Sequence, residues 1–232
     1  MGFVLPDPTA DVKLLVTGGN GFLGRRVCRH AVRDGHDVTS VARSGTPPAD
    51  HLAPWTNRVE WVGADVFAPH EWRDSLEGVD AVVHSIGTIS ESPTDGVTFE
   101  RINGDAGIVA VLEADRAGVD RFVYLSSSTT PPFVRAAYLE AKRRAEAAIA
   151  DLDLETTVLR PGPVYGPAQP HFPRVANWLF AAVGTLEPLA ARMGADRPLS
   201  VETVGRATYA AALGRVDDDF LDGPTIAAAF GR

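Results

Sequence analysis

From Val12 onward, short apolar runs alternate with longer stretches whose apolar residues recur at helical spacing. Residues 12–17, 37–42, 59–63, 81–86, 121–126 and 156–160 read as strands of five or six residues. Between them, 22–34, 97–117 and 135–150 read as helices, with Gly35 and Gly118 suited to left-handed caps. Pro69 suits the start of a further helix that Gly78 closes. Near-continuous apolar strands separated by helices predict an α/β fold: a doubly wound parallel sheet covered on both faces, with right-handed crossovers. Beyond Pro161 the alternation fades into proline-rich loops and two helices, 173–193 and 201–213. The expected division is a dinucleotide-binding domain over 11–167 and a small, mainly helical C-terminal cap over 168–232, packed on the same fold.

The most informative segment is KLLVTGGNGFLG, residues 13–24. Gly18, Gly21 and Gly24 are spaced GxxGxxG, directly after a buried strand and before a helix. Gly18 permits a sharp turn, Gly21 lets backbone approach a pyrophosphate, and Gly24 lets the helix pack close to the sheet, as in a Rossmann-type fold. In a chain with 22 glycines the triplet alone is weak; the strand–turn–helix context is what points to NAD(P). The second strand ends VTSVARSG, with Ala42 where an NAD-selective acid would stand and Arg43 and Ser44 following. An arginine meets a 2′-phosphate that an acid would repel, so NADP(H) is favoured over NAD, with Arg25 as a second positive charge. The plain alternative is that both arginines are solvated.

Tyr138 and Lys142 form YxxxK, one helical turn apart on one face. An adjacent ammonium favours tyrosinate and would lower the phenol's pKa, suiting proton exchange with a carbonyl or alcohol. Ser127 or Ser128, at the end of the fifth strand, could hold the substrate oxygen. Lys142 is one of only two lysines beside twenty arginines, which fits a post needing a compact point charge. A solvated lysine beside a half-buried tyrosine is the bland alternative.

The ordered set TGGNGFLG, Asp65, VVHSIG, Asn103, RFVYLSS, YLEAK and LRPGPVYGP resembles the extended and atypical short-chain dehydrogenase/reductases, the epimerase/dehydratase-like group, over residues 12–167. Within it, GGNGFLGRRVCRHAV, SVARSG and RPLSVETVGRA look most like the atypical branch. That branch includes the nucleotide-binding accessory subunit of respiratory complex I and an accessory protein of coenzyme Q synthesis. The resemblance implies cofactor contacts along Gly18, Asn20, Gly21, Phe22, Leu23 and Gly24, adenine near Asp65 and Val66, and ribose near Ser85, Ile86 and Gly87. It also implies contacts from Lys142, Pro161 and Val164, and catalysis by Ser127, Tyr138 and Lys142 on an unknown carbonyl or alcohol. Two departures count against a nucleotide-sugar substrate: only ten residues separate Ser127 from Tyr138, and the C-terminal region is short. The branch also implies a second possibility, a non-catalytic NADP(H)-binding accessory or sensor protein with a respiratory or quinone-synthesis partner.

Composition narrows the rest. A net charge of −8 speaks against nucleic acid and against polybasic membrane attachment. The single cysteine, Cys28, excludes an intrachain disulfide and reads as a packed thiol. Residues 1–11 carry prolines and aspartates rather than a leader pattern, and no apolar run reaches membrane-span length, so the expected address is the cytoplasm. No metal is expected: His70 and Glu71 lack partners at ligand spacing, and Asp217, Asp218 and Asp219 read as a solvated turn. His84 is expected to pack in its strand bonded to backbone, and Trp178, Leu179 and Phe180 to pack in the core or meet a pocket, a hydrophobic partner or a quinone.

Overall fold

The computed structural model describes residues 11–131 and 134–231; residues 1–10, read above for a leader, lie outside them. In chain order the elements are β1 (Lys13–Thr17), α1 (Gly24–Asp34), β2 (Asp37–Ala42), β3 (Val59–Gly63), β4 (Ala81–His84), α2 (Ala106–Arg116), β5 (Arg121–Leu125), α3 (Ala137–Ala150) and β6 (Glu155–Arg160). There follow β7 (Val164–Tyr165), α4 (Arg174–Thr185), α5 (Glu187–Arg192), β8 (Leu199–Ser200), α6 (Val201–Ala212), β9 (Phe220–Asp222) and α7 (Gly223–Phe230).

Seven strands form one sheet in the order β3-β2-β1-β4-β5-β6-β9, every pair parallel. Alternate residues face opposite layers. Leu14, Val16, Val83 and Val123 meet the α1 and α6 side chains Val27, Ala31, Val204 and Ala207. Leu15, Val82, Phe122 and Tyr124 meet Ala110, Val111, Ala145 and Ile149 of α2 and α3 on the other face. Sequence order reverses at β1, whose neighbours β2 and β4 lead outward in opposite directions. A sheet of this kind opens its ligand crevice at that switch point, beyond the carboxyl ends of the strands.

Four departures from the sequence pattern have physical causes. The 69–78 stretch forms two short 3₁₀ turns, Pro69–Glu71 and Arg73–Leu76, because Trp72 breaks out at φ −139° to bury its ring and donate from Nε1 to the Val66 carbonyl at 3.3 Å. The long helix expected over 97–117 begins as a π-helical stretch, Glu100–Asp105, and turns α-helical only at Ala106. The 173–193 helix breaks at Leu186, since Pro188 can neither continue the hydrogen-bond ladder nor clear the preceding turn. Finally, β9 adds a seventh strand by pairing with β6.

Candidate cofactor and active site

The turn between β1 and α1 is held by backbone. Gly18 adopts φ +80°, a left-handed conformation open to glycine, and donates to the Val41 carbonyl at 2.8 Å. At Gly24 a Cβ would lie 2.4 Å from the Gly18 carbonyl oxygen, so the helix meets the turn at a distance only glycine allows. Among the described residues the amides of Phe22, Leu23 and Gly24 meet no acceptor, and α1 has neither a capping side chain nor an acid in its first turn. Free donors and the positive helix end therefore face the crevice, as an anion requires. Asn20 donates from Nδ2 to Ser44 Oγ at 2.8 Å and to the Gly45 carbonyl, tying the turn to the end of β2. Its buried Oδ1 is left without a partner.

Two chambers meet at this turn. The outer one, about 690 Å³, is lined by Gly18, Asn20, Gly21, Arg43, Ser44, Asp65 and Val66. The inner one, about 400 Å³, is lined by Gly21, Phe22, Leu23, Ser127, Tyr138, Lys142, Pro161 and Val164. Gly21, Ser85, Ile86, Gly87 and Thr88 border both. Of the residues singled out from the sequence, Gly24 lies buried beneath the turn and Arg25 lines neither chamber; Arg25 is buried near Arg26 and Asp50. Ser85 spends its hydroxyl on the Thr17 carbonyl at 2.8 Å. A Cβ on Gly87 would stand 3.1 Å from Asn103 Oδ1 and 3.4 Å from Lys142 Nζ. The unpaired amides, the orphaned Asn20 oxygen and this side-chain-free floor fit a dinucleotide lying across both chambers.

Tyr138 is almost wholly buried, edge-on to Phe99 with ring centroids 5.8 Å apart. Burial raises its pKa above the usual phenol value, while Ser127 beside it and the Arg143 charge pull it partly back. The expected lowering by Lys142 is thus overturned. The Lys142 ammonium instead donates to the Leu125 carbonyl at 2.8 Å and lies 5.0 Å over the Tyr124 ring. Burial pushes Lys142 itself down to about 8. Ser127 donates its hydroxyl to the Thr129 carbonyl at 2.8 Å. His84 does pack within its strand, but its Nδ1 meets the Thr17 hydroxyl at 2.8 Å rather than backbone, and burial followed by the Lys142 charge pushes it down to about 3.

Sequence reasoning named Asn103 only as part of the family pattern and gave the supports no role. Asn103, fully buried in the π-helical stretch, accepts from the Thr88 amide and donates to the Thr88 carbonyl, both at 2.9 Å, and so fixes the chain where the chambers join. Arg143 donates to the Ser127 carbonyl at 2.9 Å and to Ser126 Oγ at 3.2 Å, and is itself paired with Glu146, which also holds Arg160. The Arg143–Glu146 spacing was visible but reads as an ordinary surface pair. Among the described residues lining the inner chamber there is no Asp, Glu or Arg; its walls include Pro131, Phe172 and Phe180, while Trp178 and Leu179 lie outside it.

Comparison with known proteins agrees with this geometry. Residues 18–172 match the model of a family described as NAD(P)H-binding. The chain is 39% identical over 167 residues to an uncharacterized chloroplastic protein of Arabidopsis thaliana, covering 69% of this chain and 54% of that one. It is 30% identical over 189 residues to a 2-alkyl-3-oxoalkanoate reductase of Stenotrophomonas maltophilia, covering 72% and 55%. It is 29% identical over 198 residues to MIOREX complex component 2 of Saccharomyces cerevisiae, covering 65% and 72%. The match thus spans about half the length of the first two of these relatives. Among solved structures, a UDP-N-acetylglucosamine 4-epimerase of Methanobrevibacter ruminantium superposes with a TM-score of 0.67 at 16% identity, over 91% of this chain and 75% of that one. That likeness bears out the Rossmann-type fold.

Proposed function

This chain belongs to the NAD(P)H-binding family, and from that membership we propose that it is an NADP(H)-preferring reductase or dehydrogenase of the short-chain type. Its substrate is a carbonyl or alcohol carried on an uncharged, apolar body. The observation that carries this reading is the junction of two chambers over an uncapped helix end, with Tyr138 and Lys142 in the inner one. Arg43 and Ser44 on the outer wall, with Ala42 rather than an acid ending the strand before them, support the preference for a 2′-phosphate.

A bound nicotinamide supplies hydride transfer. Tyr138, kept protonated by burial, would give its proton to the substrate oxygen as the carbonyl carbon is reduced, and would take one back in the reverse direction. Ser127 would rotate its hydroxyl from the Thr129 carbonyl to hold that oxygen. Lys142, charged below about 8, would hold the cofactor ribose near Gly87, while Ser127 and the Arg143 charge steady the tyrosinate left behind. Arg143 keeps Ser127 in register. The apolar walls, and a relative named for reducing 2-alkyl-3-oxoalkanoates, support a long-chain oxo compound as the first substrate to try.

The test is calorimetry with NADPH and NADH, followed by NADPH consumption with a panel of uncharged long-chain ketones and 3-oxoalkanoate esters. Tyr138→Phe should lose about 100-fold or more in kcat, the usual weight of a general acid, with NADPH affinity within twofold of wild type. Turnover unmoved by that change would refute the assignment. A second reading, a cofactor-binding accessory protein without turnover, draws support from the likeness to a MIOREX complex component. It predicts tight NADPH binding, no consumption on any carbonyl, and no effect of Tyr138→Phe on partner capture.

A further inference from the structure

Among the described residues nine large apolar side chains are exposed, and six of them fall within the α4–α5 hairpin: Val175, Trp178, Leu179, Leu186, Leu189 and Met193. Val175 and Trp178 are two-thirds exposed, at 69% and 67%. Residues 175, 178 and 179 share one face of α4, and 186, 189 and 193 follow the same spacing across α5. The opposite face of α4 is fixed inward. Asn177 accepts from the Gly166 amide at 3.0 Å and donates to the Gly166 carbonyl at 3.1 Å. Gly184 lies so close to Tyr165 that a Cβ would meet its ring at 2.5 Å. The outward apolar face is therefore a consequence of how the helix is anchored.

We infer that this face seats on an anionic lipid surface. Three observations select that occupant. First, the hairpin's charges suit it. Glu187 is taken up by Arg197 at 2.7 Å, which leaves Arg174 and Arg192, at the two ends, with no ion pair among the described residues, in a chain whose net charge is −8. Arginines rimming Trp, Leu and Val are the pattern of a helix lying in a membrane interface. Second, no helix among the described residues is long and apolar enough to cross a membrane, so a lipid contact made by the hairpin is with the surface rather than across it. Third, the same helix walls the inner chamber: Phe180 of α4 packs against Phe172 with centroids 5.2 Å apart, and both line it. An apolar substrate leaving the lipid would pass from the exposed face to the chamber around one helix. That delivery role rests on the reductase reading; attachment to lipid does not.

The experiment is flotation of the full chain with vesicles of phosphatidylcholine, with and without phosphatidylglycerol. The expected result is several-fold more protein floating with the anionic vesicles. Trp178→Asp should lower the bound fraction tenfold or more, and Arg174→Glu with Arg192→Glu should remove the preference for phosphatidylglycerol. Unchanged NADPH affinity by calorimetry shows that each variant is folded. No flotation with either vesicle, or flotation that survives Trp178→Asp, overturns the inference. So does light scattering that shows a dimer which Trp178→Asp dissolves, since the face would then belong to a second copy. Flotation is read without turnover, so its failure leaves the reductase reading standing, and failure of turnover leaves the lipid surface standing.

Discussion

Two single-methyl additions to the glycine turn separate its structural from its binding role. In Gly24→Ala the new Cβ would lie 2.4 Å from the Gly18 carbonyl oxygen, 2.7 Å from Ser85 Oγ and 2.8 Å from Gly19 Cα. Two of these three are backbone atoms, so the turn itself must move, and overpacking of this kind costs about 1–3 kcal/mol. For a chain of this length that lowers Tm by roughly 2–12 °C. In Gly21→Ala the new Cβ meets only the Gly18 oxygen, at 3.0 Å, and otherwise enters open space where the two chambers join. Gly21 is not among the residues with positive φ, so stability should stay within about 0.5 kcal/mol of wild type. If the proposed site is right, that methyl takes the place of a diphosphate and would displace it from the free amides. Loss of a charge-assisted hydrogen bond there amounts to roughly 1.5–3 kcal/mol, or about 10- to 150-fold in Kd. Calorimetry with NADPH and thermal unfolding of both variants give the two readouts. If Gly21→Ala binds NADPH within threefold of wild type, the diphosphate does not lie over this turn and the site reading fails.

Three further outcomes follow from named contacts. Arg43→Asp should weaken NADPH by about tenfold, roughly 1.4 kcal/mol for an exposed, screened contact, and leave NADH unchanged by calorimetry; equal losses for both would remove Arg43 from the 2′-phosphate. Asn103→Ala strands the Thr88 amide and carbonyl, a cost of about 1–3 kcal/mol, so urea unfolding should show that loss together with weaker NADPH binding. Lys142, pushed by burial to about 8 from 10.5, is charged in both folded and unfolded chains below pH 8. Between the two values only the folded chain has shed the proton, so stability rises with pH from about 8. Above about 9 the buried Cys28 thiol, held up to about 12 from 9.0, opposes that rise, which should therefore be read between pH 8 and 9. Reductase kcat/KM should fall over the same window as the ammonium is lost. Lys142→Met should abolish the stability rise, and a rise that persists in the variant refutes the assignment.

The frame was legible because its signals are local. Each of six strands is a short apolar run, and Gly18, Gly21 and Gly24 stand between a strand and a helix whatever the rest does. Tyr138 and Lys142 share a face by spacing alone. What escaped depends on contacts distant in sequence. β9 is three residues long and exists as a strand because Leu221 comes into register with Leu159. The π-helical stretch before α2 carries Asn103 to Thr88, while Gly107 allows Tyr124 to close against the helix. The phenol's pKa was misjudged for the same reason: spacing puts Lys142 one turn from Tyr138, but only tertiary structure aims its ammonium at Leu125.

The fold is shared with a UDP-N-acetylglucosamine 4-epimerase, and the inner chamber is where the likeness stops carrying an argument. A nucleotide-linked sugar brings a diphosphate, and a buried phosphate needs cations or several donors, since leaving it unpaired costs several kcal/mol. Among the described residues lining the inner chamber, Lys142 and His171 are the only basic ones. The Lys142 ammonium is held inward on the Leu125 carbonyl, and burial lowers the pKa of His171, favouring its neutral form. Only ten residues separate Ser127 from Tyr138, and Pro131 from that loop forms part of the wall. With Phe172 and Phe180 on the opposite chain segment, the chamber rewards the transfer of hydrocarbon out of water, at roughly 25 cal/mol per Å² buried. UDP should therefore give no heat on titration into the NADPH-bound protein, whereas an uncharged 3-oxoalkanoate ester should bind more tightly with each added methylene until the chamber is filled.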